Sequence, residues 1–166
     1  MSRIRPDQLL LPSVLDRLID LDPDNRFELA KDRAQLLKEL KNSVRRDLEN
    51  LLNTRVTFTD LPADLSRLQT SLVNYGVPDF GTMIVDSSNS IEGLRSRIED
   101  VIRRFETRFQ EVKVELDVDS KSRFSRSVRF VIHGVLHAEP EPEPVTFSSQ
   151  LHKIASEFSV QAADNE

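Results

Sequence analysis

Glu106 and Arg108 lie two positions apart in Phe105-Glu106-Thr107-Arg108-Phe109, an acid and a base set among aromatic residues. Two chemistries fit that pairing. Solvated at a helix end, it is a surface ion pair contributing about 0–1 kcal/mol. Turned towards another protein, it is an arginine fork that grips a partner bidentately while the glutamate fixes its orientation. Spacing alone leaves both open. His133 and His137 are four apart, a metal-ligand spacing on a helix; on a strand they stand about 13 Å apart, too far to share an ion. They read as surface histidines, and no metal or other cofactor is expected. The 28 acidic residues supply many carboxylate pairs, and a glycosidase needs two about 5–9.5 Å apart across a sugar cleft. Such clefts carry aromatic platforms, whereas this chain has no Trp, one Tyr and nine Phe that fall mostly on apolar stripes. There is no Gly-rich phosphate loop, Gly-x-Ser-x-Gly or His-Glu-x-x-His, and without Cys there is no thiolate chemistry. The chain reads as a non-enzyme.

The acid and base fall where the hydrophobic rhythm changes. From Ile91 through Leu94, Ile98, Val101, Ile102 and Phe105 the period is helical; from Val112 through Val114, Leu116 and Val118 it is two. Glu106 and Arg108 therefore sit at a helix-to-strand joint. Asn89 and Glu92 have the spacing of a capping box at the helix start. Upstream, Ala30, Ala34, Leu37, Leu40, Val44, Leu48 and Leu51 predict a long helix of about 30 Å, read as core-facing rather than as a partner-binding coiled coil because few heptads are sustained. A shorter helix is expected over 60–76, ending at Gly76, with an extended step at Pro78. After Val112 the pattern is β. Val128, Phe130, Ile132 and Leu136 share one face, Val131 and Val135 the other, which suggests a central strand or a covered face. Val145, Phe147 and Leu151 alternate in the next strand, and Glu157–Val160 closes the set. Ala138–Pro144 reads as a stiff acidic connection. Helices followed by a meander of three to four strands predict an α+β fold with helices on an antiparallel sheet.

The 166 residues suit one domain: an N-terminal arm over 1–29, set off by Pro12 and Pro23, a single α+β domain over 30–161, and a disordered tail over 162–166. Net charge is −5, so bulk electrostatics favours no nucleic-acid partner. No apolar run reaches membrane-spanning length, and the three leucines before Pro12 are too few for a secretory signal. A cytoplasmic protein is expected.

Phe105-Glu106-Thr107-Arg108-Phe109 resembles the Phe-Glu-Pro-Arg joint of the baseplate wedge proteins of contractile injection machines, with Thr107 in place of the proline. That family includes the lysozyme-like wedge subunit of phage tails and TssE of type VI secretion. Leu10–Pro23, Leu40–Arg55, Ser71–Phe80 and Val145–Leu151 resemble its arm, first long helix, Asn-Tyr-Gly-x-Pro-Asp-Phe segment and late strand, in that order. The resemblance implies a structural role, despite the family's lysozyme label; the rival is a peptidoglycan hydrolase. It implies that Glu106 and Arg108, flanked by Phe105 and Phe109, dock on the helical core bundle of the wedge proteins TssF and TssG, with TssK as a further contact. It places the protein at the baseplate, at the cytoplasmic face of the inner-membrane complex. It also implies that the sheet accepts strands from the sheath subunits TssB and TssC and starts sheath growth. Val145, Thr146, Phe147, Ser148, Gln150 and Leu151 are the expected docking strand, and truncating Arg108 is expected to spare the fold.

Overall fold

The computed structural model describes residues 10, 13–19, 23–24, 32–56, 64–78, 88–117, 127–138, 141–152 and 155–163. The expected tail beyond 163, much of the arm, the Asn89 side chain of the expected capping box and Ile154 of the expected last turn lie outside them. Among the described residues four α-helices precede four strands: α1 (Val14–Leu18), α2 (Arg33–Asn53), α3 (Ser66–Gln69), α4 (Ser88–Phe105), then β1 (Phe109–Leu116), β2 (Ser127–Leu136), β3 (Glu143–His152) and β4 (Glu157–Ala162). The strands form one antiparallel meander in the order β1-β2-β3-β4, so the expected α+β arrangement holds.

Alternation puts the apolar side chains of the sheet on one face, and α2 and α4 cover it. Val44, Leu48 and Leu52 of α2 and Ile98 and Ile102 of α4 are fully buried, in one core with Val114, Phe130, Ile132, Phe147, Phe158 and Val160. Val131 and Val135 are only half-buried on the other face, whose β1 residues Lys113 and Glu115 form an exposed ion pair. His133 lies on that wet face and His137 just past the strand, both exposed. No cluster of metal-ligating side chains forms among the described residues, and no helix there is long and apolar enough to cross a membrane.

α2 starts at Asp32, whose carboxylate accepts the Gln35 N–H at 2.7 Å while the Gln35 side chain accepts the Asp32 N–H, a reciprocal cap. The single helix expected over 60–76 is instead broken into α3 and a 3-10 turn at Leu72–Asn74. Ser71 is extended between them (ψ 164°). Its hydroxyl donates to the Leu68 carbonyl, and the Asn74 amide donates to that of Gln69. Side chains thus satisfy carbonyls that a continuing helix would have used. Gly76 has φ +110°, and a Cβ there would lie 2.3 Å from the Thr54 carbonyl oxygen. Its backbone approaches the end of α2 closely, Val77 N–H donating to Thr54 O and Val56 N–H to Val77 O. The acidic connection is shorter than expected, because Glu143 and Pro144 already belong to β3.

Candidate functional site

α4 ends where Glu106 N–H donates to Ile102 O, and β1 begins at Phe109, so three residues make the whole joint. The Glu106 side chain is 9% exposed and that of Arg108 23%. The guanidinium donates through Nε to Glu106 Oε1 at 2.7 Å and through Nη2 to Glu106 Oε2. The Arg108 backbone N–H also donates to Glu106 Oε1, which makes the tight turn self-bracing. The fork continues onto α2, where Nη1 donates to the Ser43 hydroxyl at 3.0 Å and Nη2 to Asp47 Oδ2 at 2.7 Å. Burial alone would lower the Arg108 pKa, but the hydrogen bonds and charges of Glu106 and Asp47 outweigh it and push it above the ordinary arginine value.

The network reaches α1. Ser13 caps that helix, its hydroxyl both accepting the Asp16 N–H and donating to the Asp16 carboxylate. Asp16 then accepts from the Ser43 hydroxyl at 2.6 Å and from Arg46 at 2.8 Å, while Arg46 also donates to Asp47. A closed ring results: Asp16, Ser43, Arg108, Asp47, Arg46 and back to Asp16. Burial would raise the Asp16 pKa, but the bonds from Ser13, Ser43 and Arg46 hold it down at about 2. α1 is consequently inverted relative to its apolar pattern. Its polar residue faces the protein, while Val14, Leu15, Leu18 and Ile19 are 75%, 57%, 77% and 45% exposed. Leu10, by contrast, is buried in the core.

Ser13, Asp47, Leu51, Tyr75, Phe105, Glu106, Thr107 and Arg108 line an open cleft of about 410 Å³. The Tyr75 ring meets Phe105 edge-on at 5.3 Å, and burial, with the nearby Asp47 and Glu106 charges, raises the Tyr75 pKa. The ring and cleft carry three carboxylates (Asp16, Asp47, Glu106) and two guanidinium groups (Arg46, Arg108), one net negative charge. The joint is thus a preset acid–base constellation with an apolar floor. Of the expected partner-binding residues, Phe105, Glu106 and Arg108 reach the cleft, but Phe109 does not. Its ring lies across Gly134 of β2 in the space a Cβ would take, and it is buried. Ser43, Asp47, Asp16 and Tyr75 were not singled out from sequence; the sole signal was Tyr75, the one tyrosine.

The second expected site is placed differently from its sequence reading. β3 lies inside the sheet, paired with β2 along its length and with β4 over Phe147–His152. Val145, Phe147 and Leu151 are buried in the core, and the backbones of Ser148 and Gln150 lie between two neighbours. Only Glu143–Val145 of β3 extends past β4, with Thr146 O still accepting from Ala163 N–H. Alternation in sequence shows a strand but not its place in the order, so Val145–Leu151 is not the open edge. The edges are β1 and β4, and helix side chains occupy both. On β4, the Asn53 amide accepts from Phe158 N–H at 2.8 Å and donates to Phe158 O at 2.9 Å. Glu49 accepts the Val160 N–H, and Arg45 donates to Val160 O. On β1, Glu99 accepts the Val114 N–H at 3.1 Å and Arg95 donates to Val114 O at 3.0 Å. The Val114 N–H and the arginines around Glu99 depress its pKa, against the effect of burial.

A family model described as baseplate wedge protein gp25 matches residues 38–141, over half of the chain, a span that takes in α2 from residue 38 onward, the joint, β1 and β2. No curated protein and no solved structure matches.

Proposed function

Since the chain belongs to the baseplate wedge protein gp25 family, we propose that it is a structural adaptor of a contractile injection machine of the type VI secretion kind, joining the wedge to the sheath. The cleft at the joint is the plug. Its carrying observation is the Arg108 fork, held in one orientation by Glu106, Ser43 and Asp47 before any partner arrives. A preset polar group has little side-chain freedom left to lose on docking, which spares about 0.5–1.5 kcal/mol of ordering cost. The partner is the helical core bundle of TssF and TssG, with TssK as a further contact. The sheet then meets TssB and TssC sheath strands at an outer edge rather than at β3, since main-chain pairing needs an edge.

Thr107 offers the clean test, because its side chain is exposed at the cleft between the two charged residues and outside the ring. Thr107→Glu adds a charge to a net-negative cleft, so co-purification with the wedge proteins should be lost while the melting temperature stays put. Full co-purification would reject the plug. A zymogram of the purified protein checks the hydrolase alternative: clearing of cell-wall substrate that vanishes in Glu106→Gln would overturn the structural role.

A further inference from the structure

Phe109 follows Arg108 directly yet faces away from the cleft. A bulge in β1 turns it. Two exposed residues, Gln110 and Glu111, separate the buried Phe109 from the buried Val112, and the pairing with β2 slips between Phe109 and Glu111. Strict alternation would have put Phe109 on the wet face; one extra residue re-aims it onto the core face. There its ring occupies the space over Gly134, where a Cβ would lie 2.6 Å from Cδ1 and nearer still to Cε1. Gly76 is the sole positive-φ glycine among the described residues, so position 134 needs glycine for room and not for backbone conformation. The adjoining carbonyl is fixed as well, Arg108 O accepting from His137 N–H at 2.8 Å. Both anchors lie on β2 or just past it, whereas the Arg108 guanidinium reaches Ser43 and Asp47 of α2.

We propose that Gly134 and Phe109 are positioning residues for the Arg108 fork: the ring seated on the glycine sets how far the guanidinium reaches across to α2. This rests on the reading of the joint as the plug, and names what presets it. The tolerance is small. A Cβ at position 134 drives the ring back by about 1 Å before carbon–carbon contact distance is regained. The bonds of the fork to the Ser43 hydroxyl and to Asp47 are 3.0 and 2.7 Å long, and about 1 Å more carries both past hydrogen-bonding length. α2 does not follow, because Val44 and Leu48, beside the two acceptors, hold it in the core. Nor has the arginine spare reach. Glu106, on the same joint, already holds Nε and Nη2.

The test uses the isolated chain and follows solvent exchange of the Arg108 Nη1 hydrogens by nitrogen-15 NMR. In Gly134→Ala it should quicken by about tenfold or more, as expected for loss of a hydrogen bond from a charged group. The Val160 amide on the far edge of the sheet, bonded to Glu49, should keep its wild-type rate. Phe109→Leu, which vacates the seat without a clash, should quicken the same Nη1 hydrogens. In Gly134→Ala/Phe109→Leu the smaller side chain makes room for the new methyl group, so exchange should be slower than in Gly134→Ala alone. A folded single variant with wild-type Nη1 exchange overturns the proposal. So does equal quickening at Val160, which marks general loosening, and so does a double variant no slower than Gly134→Ala. If Gly134→Ala does not fold, Phe109→Leu is read alone against the first two outcomes. Co-purification with the wedge proteins is scored separately: a displaced fork that still binds them in full upholds the positioning role and rejects the plug.

Discussion

Arg108→Ala should destabilise the isolated protein, contrary to the sequence-based expectation that it spares the fold. The truncation strands Glu106, whose side chain is 9% exposed, and removes one cation from Asp47, which is 28% exposed. Breaking a fully buried pair costs about 3–5 kcal/mol. Here Arg108 is partly solvated, Glu106 keeps the Arg108 backbone N–H, and Asp47 keeps Arg46. Those three facts reduce the cost to about 2–3 kcal/mol. Glu106→Gln retains an acceptor for Arg108 Nε and loses the ion pair, which should cost about 1–2 kcal/mol. The double variant holds no stranded carboxylate at position 106, so it should be more stable than the sum by about 1 kcal/mol or more. Urea unfolding followed by circular dichroism, with slopes checked for constancy, measures all four corners of the cycle. If Arg108→Ala lies within about 0.5 kcal/mol of wild type, or the two changes add, the ring is decorative and the reasoning fails. The consequence for assembly assays is direct: loss of wedge binding in Arg108→Ala mixes lost contact with a weakened fold, and Thr107→Glu separates them.

Gly76→Ala should cost about 2 kcal/mol or more, because φ +110° is strained for an L-residue and the new Cβ meets the Thr54 carbonyl; a melting temperature equal to wild type would refute this. Ser149 is 1% exposed and its hydroxyl has no partner among the described residues, so Ser149→Ala should leave stability unchanged or raise it by up to about 1 kcal/mol, as read by chemical denaturation. Asp16 titrates near 2 in the folded chain against an ordinary 3.8; its contribution is complete above the unfolded value and fades as pH falls through the folded one. Acidification from about pH 4 to pH 2 should therefore release α1, seen as faster amide exchange at Ile19, and Asp16→Asn should give much of that release at neutral pH.

Sequence rhythm revealed α2, α4 and all four strands, since burial on one face imposes a period. It did not reveal strand order. The residues of β3 alternate whether the strand is inner or outer, and only the length of its pairing with β4 decides. The docking of α1 was equally illegible. Val14, Leu15, Leu18 and Ile19 mark only a brief amphipathic turn of the arm, whereas Ser13 and Asp16 set the docking, and hydrogen bonds leave no periodic trace. Glu106 and Arg108 stood out because two charges among phenylalanines break a pattern. Asp47 and Ser43 did not, being ordinary residues of a polar helix face until the fold brings Arg108 against them. Asn53 and the Arg–Glu pairs were equally silent, as an i, i+4 ion pair on a helix is common whether or not a strand lies beside it.

The three-residue joint between α4 and β1 has a mechanical meaning. A link that short has no slack, so a pull on the sheet reaches α4 without delay. Arg108 then splits the tension: its bonds to Ser43 and Asp47 act side by side on α2, and parallel bonds must rupture together. α1 hangs from the same helix through the carboxylate of Asp16 alone, without the covalent joint that backs Arg108. Under load, α1 is thus the fuse and the joint the rivet.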